Sequence, residues 1–265
     1  MRELFEIPEQ EADPVKRAQA HARRALPKRF YTEAGTAETE AGHAVALDGR
    51  IAHTPAKRPL AFANAALAAA VAAEWAAQGD LIDPATMPLT KLANSALDGV
   101  AAGMEEVAAE IARYGGTDLI CYRAEEPDTL IARQNQHWDP LVAFAAERLG
   151  ARLKLGAGIM HVEQDEDTLA AIHSAVDEAA MDSPLRLAAL HVITTLTGSA
   201  VIALAFAAGA IDETVAWTAA HVDEDHQAET WGVDSEAMAR RRARAEEMAA
   251  AVTLFRLALP PETAA

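Results

Sequence analysis

GHAVALDGRIAHTPAKRPLAF, residues 42–62, is the one segment of this 265-residue chain with the texture of a β-sheet. Strand-like runs flank Asp48-Gly49, a pair suited to a two-residue hairpin turn. Both central positions of that turn need φ > 0, which glycine adopts freely and aspartate tolerates. Strands are expected at about 30–36, 43–47 and 51–54. Without this segment the chain would read as all-helical; with it, the fold class is α+β.

Upstream, residues 1–26 are charged and alanine-rich, consistent with a short helix ending before Pro27. Downstream, Asn64 can cap a helix through EWAAQG, with Gly79 as its stop. Pro84 and Pro88 mark a connection. Helix resumes from Leu89, breaks near Gly103, and reads on both sides of Pro140. Residues 153–162 suggest a short extended excursion. Helices are then expected at 166–180, 184–196, 199–209, 212–231 and 235–259. The predicted organisation is a small N-terminal α+β domain, 1–84, holding an antiparallel β unit, and a larger helical domain, 85–265.

Lys and Arg number 23 against 40 Asp and Glu, a net charge of −17. A nucleic-acid partner would be repelled unless a local basic patch outweighed that field. The one basic run, Arg240-Arg241-Arg242 with Arg244, precedes Glu246-Glu247 and reads as a solvated helix face. Cys121 stands alone, so it forms no internal disulfide and reads as a small buried hydrophobe. The acidic N-terminus lacks the apolar run of a secretory signal and is too acidic for a transit peptide. Residues 187–211 carry no Asp, Glu, Lys or Arg, but threonines, Gly198 and Ser199 interrupt their middle. Two core helices meeting at TLTGS fit better than a membrane span. A soluble, cytoplasmic chain without membrane insertion is expected.

HVDEDHQAETWG, residues 221–232, gathers two histidines and four carboxylates among apolar neighbours. On one continuous helix over 212–231, Trp217, His221, Glu224, Ala228 and Trp231 share a stripe; Val215, Ala219, Val222 and His226 lie opposite. His221 and His226 are then about 140° apart and cannot chelate one ion. Neither the zinc-helix nor the di-iron spacing is present, so no metal is expected. The competing reading is a metal-dependent hydrolase drawing on the 221–226 cluster or on His43 and His53. The acids are either simply solvated, or Glu224 between two tryptophans is a polar contact in a recognition surface. His226 reads as a satisfied core histidine. Ser199 lacks a nucleophile elbow, Gly156-Ala157-Gly158 lacks the dinucleotide pattern, and no cofactor is implied.

Four long motifs nonetheless resemble one family: EWxxQ at 74–78, IDPxTMPLT at 82–90, TDLxCYR at 117–123 and WDP at 138–140. They resemble the assembly chaperones for the α subunit of the F-type ATP synthase catalytic head, over about Pro27 to Arg242. The resemblance implies a non-enzymatic chaperone that binds the free α subunit, prevents its aggregation until the β subunit takes its place, and needs no nucleotide. The missing transit peptide fits a bacterial, cytoplasmic member; a monomer is the default. The family's acidic position before its tryptophan-glycine pair falls within Asp223-Glu224-Asp225, and the stripe selects Glu224. Asp223, Asp225, Trp217 and Trp231 complete the expected partner-binding set. Trp75 is expected to be structural, at the junction of the two domains.

Overall fold

The computed structural model describes residues 26–158 and 160–259. The helix expected over 1–26 lies, apart from Leu26, outside them. Four antiparallel strands open the fold: β1 (Ala34–Thr39), β2 (Gly42–Leu47), β3 (Arg50–Ile51) and β4 (Ala61–Phe62). Strand β2 is central and pairs with all three others. Asp48 (φ 47°) and Gly49 (φ 75°) form the expected turn, with Leu47 facing Arg50. The Asp48 carboxylate also accepts bonds from the amides of Thr32 (3.0 Å) and Glu33 (2.8 Å), which holds its pKa below the usual range. Strand β1 starts later than expected and runs to Thr39, because a second hairpin closes at Glu40-Ala41. Gly42 makes that turn possible: its φ is 107°, and a Cβ there would meet the Phe62 carbonyl oxygen at 2.4 Å.

Helix α1 (Ala65–Ala76) packs on this sheet, its first turn capped by the Asn64 side chain, which accepts from Ala66 N at 2.8 Å. Trp75 lies in the last turn of α1. Its ring packs on Tyr31 (centroids 5.8 Å apart), whose hydroxyl donates to the Trp75 carbonyl at 2.7 Å. The joint is made by its neighbours. The Glu74 carboxylate accepts from Leu89 N (2.8 Å), Thr90 N (2.7 Å) and Thr90 Oγ1 (2.6 Å). It thereby caps α2 (Pro88–Asp98), whose own N-cap, Met87, has no side-chain acceptor. Buried Gln78 accepts from Asp83 N at 2.7 Å and donates to the Glu74 carbonyl and Thr86 Oγ1. EWxxQ and IDPxTMPLT are thus two halves of one hydrogen-bonded joint.

The helical part continues with α3 (Met104–Tyr114), β5 (Tyr122–Arg123), α4 (Asp128–Phe144), β6 (Gly156–Ala157), α5 (Glu166–Ala180), α6 (Pro184–Thr197) and α7 (Ala200–Ala207). Then follow α8 (Glu213–Ala220), α9 (Val222–Trp231) and α10 (Ser235–Leu257). The excursion at 153–162 resolves as β6 paired in parallel with β5. Helix α4 runs through Pro140 without a break, so helix lies on both sides of it as expected. Helices α6 and α7 are the core: Leu187, Leu190 and Ile193 are no more than 1% exposed, and Ala200–Phe206 are buried on every side. They meet at Gly198 (φ 67°) and Ser199, whose Oγ accepts from Ile202 N at 3.0 Å. No helix among the described residues is long and apolar enough to cross a membrane.

Asp118 staples this junction from the TDLxCYR motif. Wholly buried, it accepts from Val201 N (3.1 Å) and Ile120 N (3.3 Å), at the N-terminus of α7. Burial pushes its pKa up to about 6. Adjacent Cys121 is buried, as expected, and its thiol is pushed up to about 12 by desolvation and by Asp118.

The single helix expected over 212–231 is two. His221 (φ −119°, ψ 18°) breaks it, because its ring nitrogen Nδ1 bonds the Trp217 carbonyl at 2.7 Å. That carbonyl would otherwise accept the His221 amide, which turns instead to Thr218 O at 3.1 Å. A side chain competing for a backbone acceptor ends the helix.

Candidate protein-docking surface

Helix α9 lies against α4 on one side and α10 on the other. Toward α4, Gln134 Nε2 donates to Asp223 Oδ1 at 2.8 Å, and Arg133 Nη2 reaches both Glu229 oxygens at 2.9 Å. Thr129 Oγ1 and His226 Nε2 are 3.1 Å apart. Behind this row Trp138, 0% exposed, donates from Nε1 to the Ala219 carbonyl at 2.8 Å. Asp139 pairs with Arg123 at 2.8 Å. Trp138 of the WDP motif therefore ties α8 to α4, while Arg133 and Gln134 one turn earlier hold α9.

Toward α10, the Asp225 carboxylate pairs with Arg241, which raises the arginine's pKa. Arg244 approaches Glu224 at 3.6 Å and donates to the Leu196 carbonyl at 2.7 Å. The arginine run is thus only partly a solvated face: Arg240 is, while Arg241 and Arg244 hold α10 to α9 and α6. Nor are the acids of 221–232 simply solvated, since Asp223, Asp225 and Glu229 each have a cationic or amide partner.

The buried histidine is His221, not His226 as expected. His221 is buried, 1% exposed, with its ring 4.0 Å from that of Trp217; desolvation holds its pKa below the ordinary value. His226 is only half-buried, against Thr129. They face different neighbours and do not converge. His53 bonds the Ile51 carbonyl at 2.9 Å, and His43 lies on β2 opposite Glu38 and Phe62. No group of three His, Cys, Asp or Glu suited to a metal ion occurs among the described residues.

What α9 and α10 leave open is a groove of about 410 Å³. Gly232 (φ 91°) reverses the chain, and Asp234 caps α10 through the amides of Glu236 (3.1 Å) and Ala237 (3.4 Å). Ala228, Ala237 and Met238 line the groove, with Trp231 and Val233 at its turn and Glu224, Arg240 and Arg244 on its rim. Trp231 is 80% exposed and Val233 65%. Exposed apolar groups clustered within a charged rim are the usual form of a protein contact site. Glu224 keeps a free edge on the groove: its side chain is 55% exposed, 3.9 Å from His221 and 3.6 Å from Arg244.

Of the sequence-derived residues, the groove therefore collects Glu224 and Trp231. Trp217 stays behind on His221, and Asp223 and Asp225 are turned to α4 and α10. Val233, Met238, Arg241 and Arg244 were missed. Their signal was Gly232 followed by the capping Asp234, a helix stop and a helix start that fold α10 back along α9.

A small antiparallel sheet leading into a helical body, with the most exposed aromatic among the described residues on a helical hairpin, describes the class of protein. The comparisons with known proteins are specific. Residues 28–146 match the family described as ATP12 chaperone protein. The crystal structure of Atp12 from Paracoccus denitrificans is 41% identical and matches with a TM-score of 0.80, covering 88% of this chain and 99% of that one. A variant of it with an aspartate replaced by lysine matches with 41% identity and the same TM-score. The Atu1473 protein of Agrobacterium tumefaciens, a candidate chaperone, is 43% identical with a TM-score of 0.83, covering 92% of this chain and 91% of that one. The chain belongs to the ATP12 chaperone family, and its role is that of a chaperone in ATP synthase assembly.

Proposed function

We propose that the client is the free α subunit of the ATP synthase, held in a soluble state until the catalytic β subunit displaces the chaperone. The groove between α9 and α10 is the grip. The observation that carries this reading is Trp231, 80% exposed beside the free edge of Glu224. Leaving an aromatic in water is unfavourable, and in a partner's pocket such a residue dominates binding. Glu224 and Trp231 touch the client; Asp223 and Asp225 hold α9 in place, and Trp217 seats His221 beneath Glu224. The chain acts as a cytoplasmic monomer, without catalysis, nucleotide or metal. Its net charge of −17 keeps the complex soluble while the client's apolar interface is covered.

The test is co-purification of this chain with the free α subunit of its own ATP synthase in buffer without nucleotide. The reading expects a stable pair and loss of α-subunit aggregation. A soluble α subunit that passes the immobilised chain without retention contradicts it.

A further inference from the structure

Far from the α9–α10 groove, Arg186 carries a buried positive charge that no carboxylate neutralises among the described residues. It lies in the first turn of α6 and is 5% exposed. Its guanidinium stacks over the Phe255 ring, 3.8 Å from the centroid. Nε donates to the Ala179 carbonyl at 2.9 Å and Nη1 to the Phe255 carbonyl at 3.1 Å. Both carbonyls belong to the last turns of helices, α5 and α10, where backbone oxygens lack intrahelical partners and the helix dipole is negative. Two helix ends thus account for part of the five donors of a guanidinium. No bond to Nη2 is formed among the described residues.

A hollow of about 480 Å³ opens beside that guanidinium, bordered by Arg186, Phe206, Ile211, Asp212, Phe255 and Arg256 among others. Arg256, exposed, lies over the Phe206 ring at 5.5 Å from its centroid, and the two phenylalanine rings pack at 5.7 Å. The arrangement is two guanidiniums, each on an aromatic face, above apolar walls. One carboxylate, Asp212, sits on the border, and it is engaged in capping Val215 N at 2.8 Å.

We infer that this hollow binds a singly charged carboxylate borne on an apolar group. The planar fork of arginine matches a carboxylate. The rings and Ile211 receive the apolar part. Asp212 and the chain's net charge of −17 oppose a more highly charged anion such as a phosphate. The carboxylate comes either from a free organic acid or from the end of a peptide; the chemistry of the site is the same for both. This site is independent of the groove through which the client is proposed to bind.

Isothermal titration of the purified full chain separates these possibilities. The probes are benzoate, the peptide acetyl-Ala-Ala-Phe with a free C-terminus, neutral benzamide and phenyl phosphate. Benzoate or the peptide is expected to bind, the tighter of the two identifying the source, with benzamide and phenyl phosphate weaker by about tenfold or more. Arg256→Gln, a surface change, is expected to weaken the acid by about tenfold while thermal melting stays at the parent value. Arg186→Lys tests the buried donor in the same way. Absence of binding by both acids, equal binding of benzamide, tighter binding of phenyl phosphate, or full affinity in folded Arg256→Gln would each overturn the inference.

Discussion

The Arg241 guanidinium is paired with the Asp225 carboxylate across the turn at Gly232, and this contact sets α10 against α9. Both side chains are about a quarter to a third exposed, at 26% and 32%. A pair so placed is screened less than a surface pair yet keeps access to water. Asp225→Asn and Arg241→Gln should each lower stability, and a double-mutant cycle in urea should return a coupling on the order of 1 kcal/mol. A coupling of zero would mean that this pair does not hold the hairpin together.

Glu224→Lys should leave the fold intact, because the Glu224 side chain is 55% exposed and its nearest cation is 3.6 Å away. It would place a fourth positive charge beside Arg240, Arg241 and Arg244 and weaken client binding. Circular dichroism and client affinity measured on one preparation check this. An unfolded variant would make Glu224 a structural residue.

Glu74→Ala should loosen the joint between sheet and helices. It removes the acceptor of two backbone amides and a hydroxyl at the start of α2. The expected loss is roughly 2 kcal/mol, since a cap is worth about 1 kcal/mol and bonds to a charged group more. Trp75→Arg should also destabilise, by placing an unpaired cation where an indole packs on Tyr31. A parental melting temperature in either variant contradicts the corresponding assignment.

Asp118 predicts a pH signature. Its folded pKa, raised to about 6, lies above the unfolded value near 3.8. The folded chain therefore holds this proton more tightly, and the associated stability is fully present below the unfolded pKa and lost as pH rises through 6. His221 acts in the opposite sense. Its folded pKa is depressed, so its contribution is present above 6.5 and lost as pH falls through the folded value. The two are separated by comparison with Asp118→Asn. Wild type should lose stability relative to that variant between about pH 4 and 6; a constant difference across this range would show that Asp118 does not titrate there.

Much of this fold is legible wherever a local rule acts without competition. Asp48-Gly49 demands positive φ twice, Asn64 caps a helix start, and the helix at Glu166–Ala180 matches its expected span. The hairpin before Gly42 escapes because its turn residues, Glu40 and Ala41, carry no turn chemistry, and the enabling glycine falls after them. The break at His221 escapes for a different reason: it depends on a ring finding one particular carbonyl, which helical periodicity does not report. That break divides the predicted stripe, leaving Trp217 on His221 and carrying Glu224 and Trp231 into the groove. The arginines of α10 face acids about sixteen to twenty residues earlier in the chain, a pairing visible only once Gly232 and Asp234 are read as a reversal.

The proposed grip of Trp231 and Glu224 on the α subunit can be measured. Its most direct measurement is the affinity of the free α subunit for the parent chain and for Trp231→Ala, by titration calorimetry without nucleotide. The parent is expected to bind and the variant to lose roughly 30-fold, the effect of removing an anchor worth about 2 kcal/mol. Equal affinity of the two chains, or no heat of binding from the parent, would contradict it.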